Sequence, residues 1–447
     1  MAHPIPKSLA SLSDFFSISN ARAVVVTDMK LDDALFLWLF FMKNFSRPEE
    51  HTVQIDIFVT GIQDIAAGVC LSRHLFESAK AHALKCKDTS LATISMHTFV
   101  SSRPAEEAPR HENDTYAPYN NGTPGFPQAS EVRSRLKCWQ DLTPAECKAD
   151  LVAVIAPFFT FEVVNSKAMC LREGILDYIV PKPGGILAFQ IGFNTKVPGG
   201  VAGGLEQSIW QLLTTKLTEV AAKMICISNT FSFDKSTGKS GVISPSGSFV
   251  TKLKAQAPVL WTHLVEAGLK ENLLFATDQM AKYFTKLPMS GIDYEKDGLG
   301  DAISKHAEKM GVPNATRPTV SKHLQKQFFE AWQDGSITVN PVLENCRELL
   351  TMARQSCGEG PTDYLGRAVA NFEKFGATLE ATDGQHFACL LQSEVPILFP
   401  VEMREGEHFM EPCFVKSVDA DHFMWGARGI HVPKSLEWLD QSIDVAI

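Results

Sequence analysis

Hydrophobic positions in the first half of the chain fall into two alternating patterns. "ARAVVVTD" is an unbroken apolar, β-branched run, the pattern of a strand covered on both faces. "LDDALFLWLFFMKNF" follows at helical length, with acids in the first turn, where the macrodipole favours them, and Leu35, Trp38, Leu39 and Met42 as its core stripe. "TVQIDIFVTG" alternates Val53, Ile55, Ile57 and Val59, predicting a second strand, and "IAAGVCLSRHLFESAKAHAL" a second helix. "LATISMHTFV" predicts a third strand. The alternation continues through "ADLVAVIAPF" (strand), "TFEVVNSKAMCLREG" (helix), "GGILAFQIG" (strand), "LEQSIWQLLTTKLTEVAAK" (helix) and "MICISN" (strand). This order predicts an α/β fold: a mostly parallel central sheet with helices on both faces. Ligands of such sheets sit beyond the carboxyl ends of the strands. Asp28 stands at one of those ends.

Two stretches interrupt the alternation. "SSRPAEEAPRHENDTYAPYNNGTPGFP", rich in Pro, Asn and Gly, predicts a loop of a length that often carries function. Its Tyr119, Asn120 and Asn121 are either groups that reach a substrate or ordinary turn residues. From about Phe231 a polar loop, "FDKSTGKSGVISPSGS", leads into a mainly helical stretch ending near Phe375. Core patterning returns at "LEATDGQHFACLLQSEVPILF", and "FMEPCFVKSV" with "MWGARGIHV" predict a closing hairpin. The expected organisation is a core over 1–230, a helical elaboration over 231–375, and a return to the core over 376–447. "STGKSG" contains the Gly-Lys-Ser of a phosphate loop, but Phe233 occupies the position of the required first glycine and no buried strand leads in.

Composition narrows the function classes. The formal net charge of −9, without a Lys/Arg block, argues against a nucleic-acid or anionic-membrane surface. The ten cysteines include no C-x-x-C pair and no zinc-like Cys/His spacing, which reads as reduced thiols of an intracellular protein. The N-terminal segment has the pattern of neither a secretory signal nor a transit peptide. The longest apolar run, "ALFLWLFFM", falls short of a membrane span. A cytoplasmic protein is expected, with a homo-oligomer left open.

The acids of "VVVTDMKLDDALFL" are the strongest chemical feature. Asp28 at a strand end, with Asp32 and Asp33 in the next helical turn, can converge above the sheet. Hard oxygen donors grouped in this way suit calcium or magnesium. Helix capping, which needs no metal, is the alternative reading of the same spacing.

This stretch resembles the N-terminal signature of the inosine/uridine-preferring nucleoside hydrolases, commonly written D-x-D-x-x-x-D-D-A. Asp28, Asp32, Asp33 and Ala34 match it. Further segments are similar in order along the chain: "FVTGIQDIAAGVCLSRHLFE", "YNNGTPGF", "DLVAVIAPFFTFEVV", "GGILAFQIGFN" and "TDGQHFACLLQSEVPILF". The resemblance implies a calcium-dependent hydrolase that cleaves the N-glycosidic bond of a nucleoside or related ribosyl compound. It implies Asp28, Asp33 and Asp383 as metal ligands, joined by a backbone carbonyl near Phe159 or Thr160. It also implies Asp28 as general base, and Asp32 and Asn194 as ribose contacts. The sequence departs from the family pattern at Val26 (an acid in the family), Ile62 (an Asn), Gly192 (a Glu) and Thr382 (a His in some members). Metal acids are thus kept while sugar and leaving-group positions change. The alternative is therefore a non-catalytic homologue with a binding or structural role.

Overall fold

In the computed structural model the chain forms two compact units, Met1–Leu264 with Glu380–Ile447, and Val265–Leu379. The structure describes residues 12–29, 31–60, 64–86, 91–100, 116–155, 162–164, 167–169, 173–191, 207–228, 233–234, 239–240, 255–261, 281–282, 284–286, 293–312, 316–333, 341–358, 366, 369, 396–403, 414–416 and 424–430.

The first unit begins with a short helix α1 (Leu12–Phe16), then β1 (Asn20–Thr27), α2 (Leu31–Phe45), β2 (Thr52–Val59), α3 (Ile65–Cys86) and β3 (Thr93–Val100). Two short helices, α4 (Ala117–Asn120) and α5 (Ala129–Arg133), precede β4 (Leu151–Val154). After it come β5 (Glu162–Val164), β6 (Lys167–Met169), α6 (Glu173–Ile179), β7 (Ile186–Ile191), α7 (Gln207–Glu219) and β8 (Lys223–Ser228). Two-residue strands β9 (Phe233–Asp234) and β10 (Lys239–Ser240) pair with each other. The chain returns through β11 (Pro396–Met403), β12 (Phe414–Lys416) and β13 (Met424–Ile430).

The main sheet has the order β12-β11-β13-β8-β7-β4-β1-β2-β3. Its six strands from β3 to β8 are all parallel, β13 adds parallel to β8, and β11 and β12 run antiparallel to their neighbours. The predicted α/β architecture is therefore the observed one. Both faces are covered. Val24 and Val26 lie in a buried apolar cluster with Leu176 and Ile179 of α6 and Leu213 and Leu217 of α7. On the opposite face Thr27 meets α2, through its hydrogen bond to Asp33. Helix α2 is buried from Asp33 to Met42, well beyond a one-sided stripe, because it lies between the sheet and other helices of this unit.

Two sequence expectations are corrected. "TFEVVNSKAMCLREG" is not one helix: β5 and β6 form an antiparallel ladder pairing Val163 with Ala168, and the helix starts only at Glu173. Adjacent valines favour extended backbone, and Asn165-Ser166 between the strands is a turn-forming pair rather than a helix-interior one. The predicted closing hairpin is also replaced. β12 and β13 do not pair with each other, because β11 lies between them and bonds to both. Pro396 and Pro400 hide β11 from a strand reading, since proline cannot donate to a ladder.

The described part of the second unit is helical, over Leu299–Lys309, Arg317–Gln333 and Pro341–Cys357. No described helix is long and apolar enough to cross a membrane.

Candidate functional site

β1 lies between β2 and β4. The chain leaves β1 for β2 on one side and reaches β4 on the other only after β3. Connections beyond the carboxyl ends of β1 and β4 therefore diverge, and it is at such a point that sheets of this kind bind ligands. Asp28 is the first residue beyond β1 at this point, half-buried.

The turn that carries it is tied on all sides. The Thr27 hydroxyl donates to Oδ2 of Asp33 at 2.6 Å and accepts from the Met29 N–H at 2.9 Å. Thr27 is fully buried and Asp33 is 1% exposed, so the bond folds the first turn of α2 back onto the strand end. The Asp33 carboxylate is thereby held against the residue that precedes Asp28. Met29 has φ +53°, in the left-handed region, which costs a residue with a side chain on the order of 1 kcal/mol. Its carbonyl accepts a 2.7 Å hydrogen bond from the Tyr116 hydroxyl. Strain at the centre of this turn is thus offset by hydrogen bonds on both sides of Met29.

Neighbouring elements close around the same point. The Thr60 N–H bonds to the Thr27 carbonyl at 2.8 Å, and the Ile155 N–H bonds to the Val26 carbonyl at 2.9 Å, joining the ends of β2 and β4 to β1. Gly68 of α3 lets that helix approach. A Cβ there would lie 3.1 Å from Cγ1 of Val59 and 3.4 Å from Cγ of Met29. Asp64 caps α3 by accepting from the N–H groups of Ala66 and Ala67 at 3.1 and 3.2 Å, and its other oxygen pairs with Arg133 at 3.2 Å.

Of the residues singled out in the sequence, Asp28 and Asp33 flank one junction, and Asp32 falls in the first turn of α2. Thr160, Asn194 and Asp383 lie outside the described residues, as do Ile62, Gly192, Thr382, His386 and Tyr283. Val26 is fully buried with Phe58 and Val154, an apolar place with no role for an acid. Tyr119 is 1% exposed, so it is a core residue rather than a group reaching for substrate. Its hydroxyl lies 3.3 Å from Nδ1 of His74, and its ring packs edge-on to Phe126. Asn121 is a turn residue, accepting from the N–H and hydroxyl of Thr123. Thr27, Met29 and Tyr116 were missed. Thr27 lay within the acidic motif, whereas nothing in the local sequence marks Tyr116 as the partner of the Met29 carbonyl.

The donor chemistry fits a hard divalent cation, since Asp28 and Asp33 offer carboxylate oxygens. Among the described residues, no three His, Cys, Asp or Glu come together as a complete shell.

No family model matches the chain, and no curated protein matches it. Among solved structures it is similar to the type III effector protein XopQ complexed with adenosine diphosphate ribose, at 8% identity and TM-score 0.37, covering 97% of this chain and 95% of that one. It is also similar to a purine-preferring ribonucleoside hydrolase from Gardnerella vaginalis, at 10% identity and TM-score 0.37, covering 94% and 98%. A plant nucleoside hydrolase, PpNRh1, is similar at 10% identity and TM-score 0.35, covering 95% and 98%. TM-scores and identities this low assign no residue a role.

Proposed function

We propose that this protein is a calcium-dependent N-ribosyl hydrolase, acting on a nucleoside or related ribosyl compound. The observation that supports this most is the placement of Asp28 and Asp33 at the switch point of the parallel sheet, on a strained and braced turn. The motif resemblance around Asp28, Asp32, Asp33 and Asp383 supports it independently. In this reading Asp28 and Asp33 hold the ion with Asp383 and a carbonyl near Thr160, and Asp32 and Asn194 hold ribose hydroxyls. When bound, calcium would supply positive charge that eases deprotonation of a water. Asp28 takes the proton from that water as it attacks the anomeric carbon. The bond from that carbon to the base nitrogen breaks, and the base leaves with the electron pair, taking up a proton from solvent. Thr27 fixes Asp33 so that its carboxylate is positioned before any ligand arrives.

The test is release of free base from a panel of purine and pyrimidine ribonucleosides, with and without chelator. Calcium-dependent release, lowered by about 10²-fold or more in Asp28→Asn, is expected. Absence of both calcium binding and base release from every substrate overturns the proposal. A non-catalytic binding role is the second reading, favoured by the apolar burial of Val26. Stoichiometric calcium binding without hydrolysis selects it.

A further inference from the structure

A cavity of about 420 Å³ lies along β3, the edge strand of the sheet two strands away from β1. Three permanent cations line it: Arg73 from α3, and Arg135 and Lys137 from the segment after α5. Among the described residues of the lining, Glu77 is the only carboxylate. Nη2 of Arg73 is engaged by a neutral group, the Thr98 hydroxyl at 3.0 Å. Among the described residues, none of the three cations forms an ion pair. Glu77 offsets one of these charges, and the described lining stays net positive in a chain of net charge −9, which favours an anion there.

The strand edge adds backbone hydrogen-bonding groups. Thr93 gives its N–H inward to His51, and Val100 gives its N–H outward to Lys137. By the two-residue alternation of a strand, the N–H and C=O groups of Met96 and Thr98 also face outward, along the cleft. The remaining wall is apolar. Phe76 is 7% exposed, and Met96 and Leu136 are half-buried beside it. The volume falls within the usual size range of small-molecule pockets.

We propose that this cleft binds a small phosphomonoester with an aromatic or apolar body. The phosphate meets Arg73, Arg135 and Lys137, whose guanidinium groups match phosphate oxygens in pairs. The body lies against Phe76, Met96 and Leu136. A phosphomonoester suits the cleft better than a carboxylate, because three cations can share its two negative charges and three peripheral oxygens.

Calorimetric titration of the full chain with phenyl phosphate, inorganic phosphate and phenol separates the two contributions. Phenyl phosphate is expected to bind about tenfold or more tighter than inorganic phosphate, and phenol weakly. The double variant Arg135→Ala/Lys137→Ala removes two exposed side chains and is expected to fold normally, while weakening phenyl phosphate about tenfold or more. Glu77→Gln, which removes the opposing charge, is expected to tighten it. The proposal is overturned if millimolar phenyl phosphate gives no binding, or if inorganic phosphate binds equally well. It is also overturned if the double variant, shown folded by its melting temperature, binds like the wild type, or if Asp28→Asn abolishes binding.

Discussion

The hydroxyl of Tyr116 donates to the main-chain carbonyl of Met29 at 2.7 Å, across 87 positions of sequence. Both residues are buried, and the bond fixes the carbonyl one peptide beyond Asp28. Tyr116→Phe keeps the ring but leaves that acceptor without its donor. A loss of about 1–3 kcal/mol is expected in urea unfolding, with little change in slope. If Asp28 is the base, turnover should fall further than substrate affinity, since the turn rather than the pocket is loosened.

Thr27 supports the same turn from the strand side. Thr27→Val replaces its hydroxyl with a methyl of similar size and removes bonds to both Asp33 and Met29. Because one partner is a buried carboxylate, about 2–3 kcal/mol of stability should be lost. If Asp33 is a calcium ligand, calcium titration should also show weaker binding, since Asp33 would lose the contact that orients it. Unchanged stability would show that the carboxylate finds another donor at no cost.

Asp56 is the hub of a polar cluster on the β1–β2–β3 part of the sheet. Its carboxylate, 1% exposed, accepts from Arg22 at 2.6 and 3.0 Å, from Gln54 at 3.1 and 3.2 Å, and has His97 at 3.1 Å. Asp56→Ala strands the Arg22 guanidinium without its charge partner. Arg22 is a quarter exposed and can draw on water, so about 3 kcal/mol is expected, at the low end for broken buried pairs. Denaturant unfolding of Asp56→Ala beside Asp56→Asn, which keeps one acceptor, would separate charge from hydrogen bonding.

His74 gives a pH dependence of definite sign. Burial holds its imidazole below the ordinary pKa of 6.5. The unfolded chain therefore takes up a proton at a higher pH than the folded one. The stability associated with neutral His74 is complete above about pH 6.5 and is lost as pH falls from there through the lowered folded value. His306 shifts in the same direction, chiefly by burial. Unfolding midpoints compared at pH 7.5 and 5.5 should fall less in His74→Gln than in the wild type; equal falls would discount the histidine.

Much of the sheet was legible because its strands are β-branched runs flanked by helices of ordinary length. β1, β2 and β3 are all found where apolar periodicity places them. The failures have local causes. Val163-Val164 and Ala168-Met169 satisfy helical and extended patterns equally, and only the Asn165-Ser166 pair between them favours the turn. At the candidate site, Asp28 and Asp33 announce themselves because three acids in six positions are expensive without a reason. Tyr116 does not, since its role depends on a contact made across two strands and two helices. The basic cleft was hidden too. Arg73 is distant in sequence, and Arg135 and Lys137 alternate with other residues instead of forming a block.

The order of the sheet also sets a timetable. Met424 of β13 is the register partner of Met224 in β8, two hundred positions earlier. As the chain leaves the ribosome, β8 can join β7 promptly, but its other edge must wait for β13. At usual synthesis rates that interval is about 10–40 s, and the whole Val265–Leu379 unit is made within it. During that time an apolar strand presents unpaired amide and carbonyl groups to any other extended segment. Newly made chains should therefore depend on chaperones most between completion of β8 and emergence of β13, and truncations ending in that interval should aggregate.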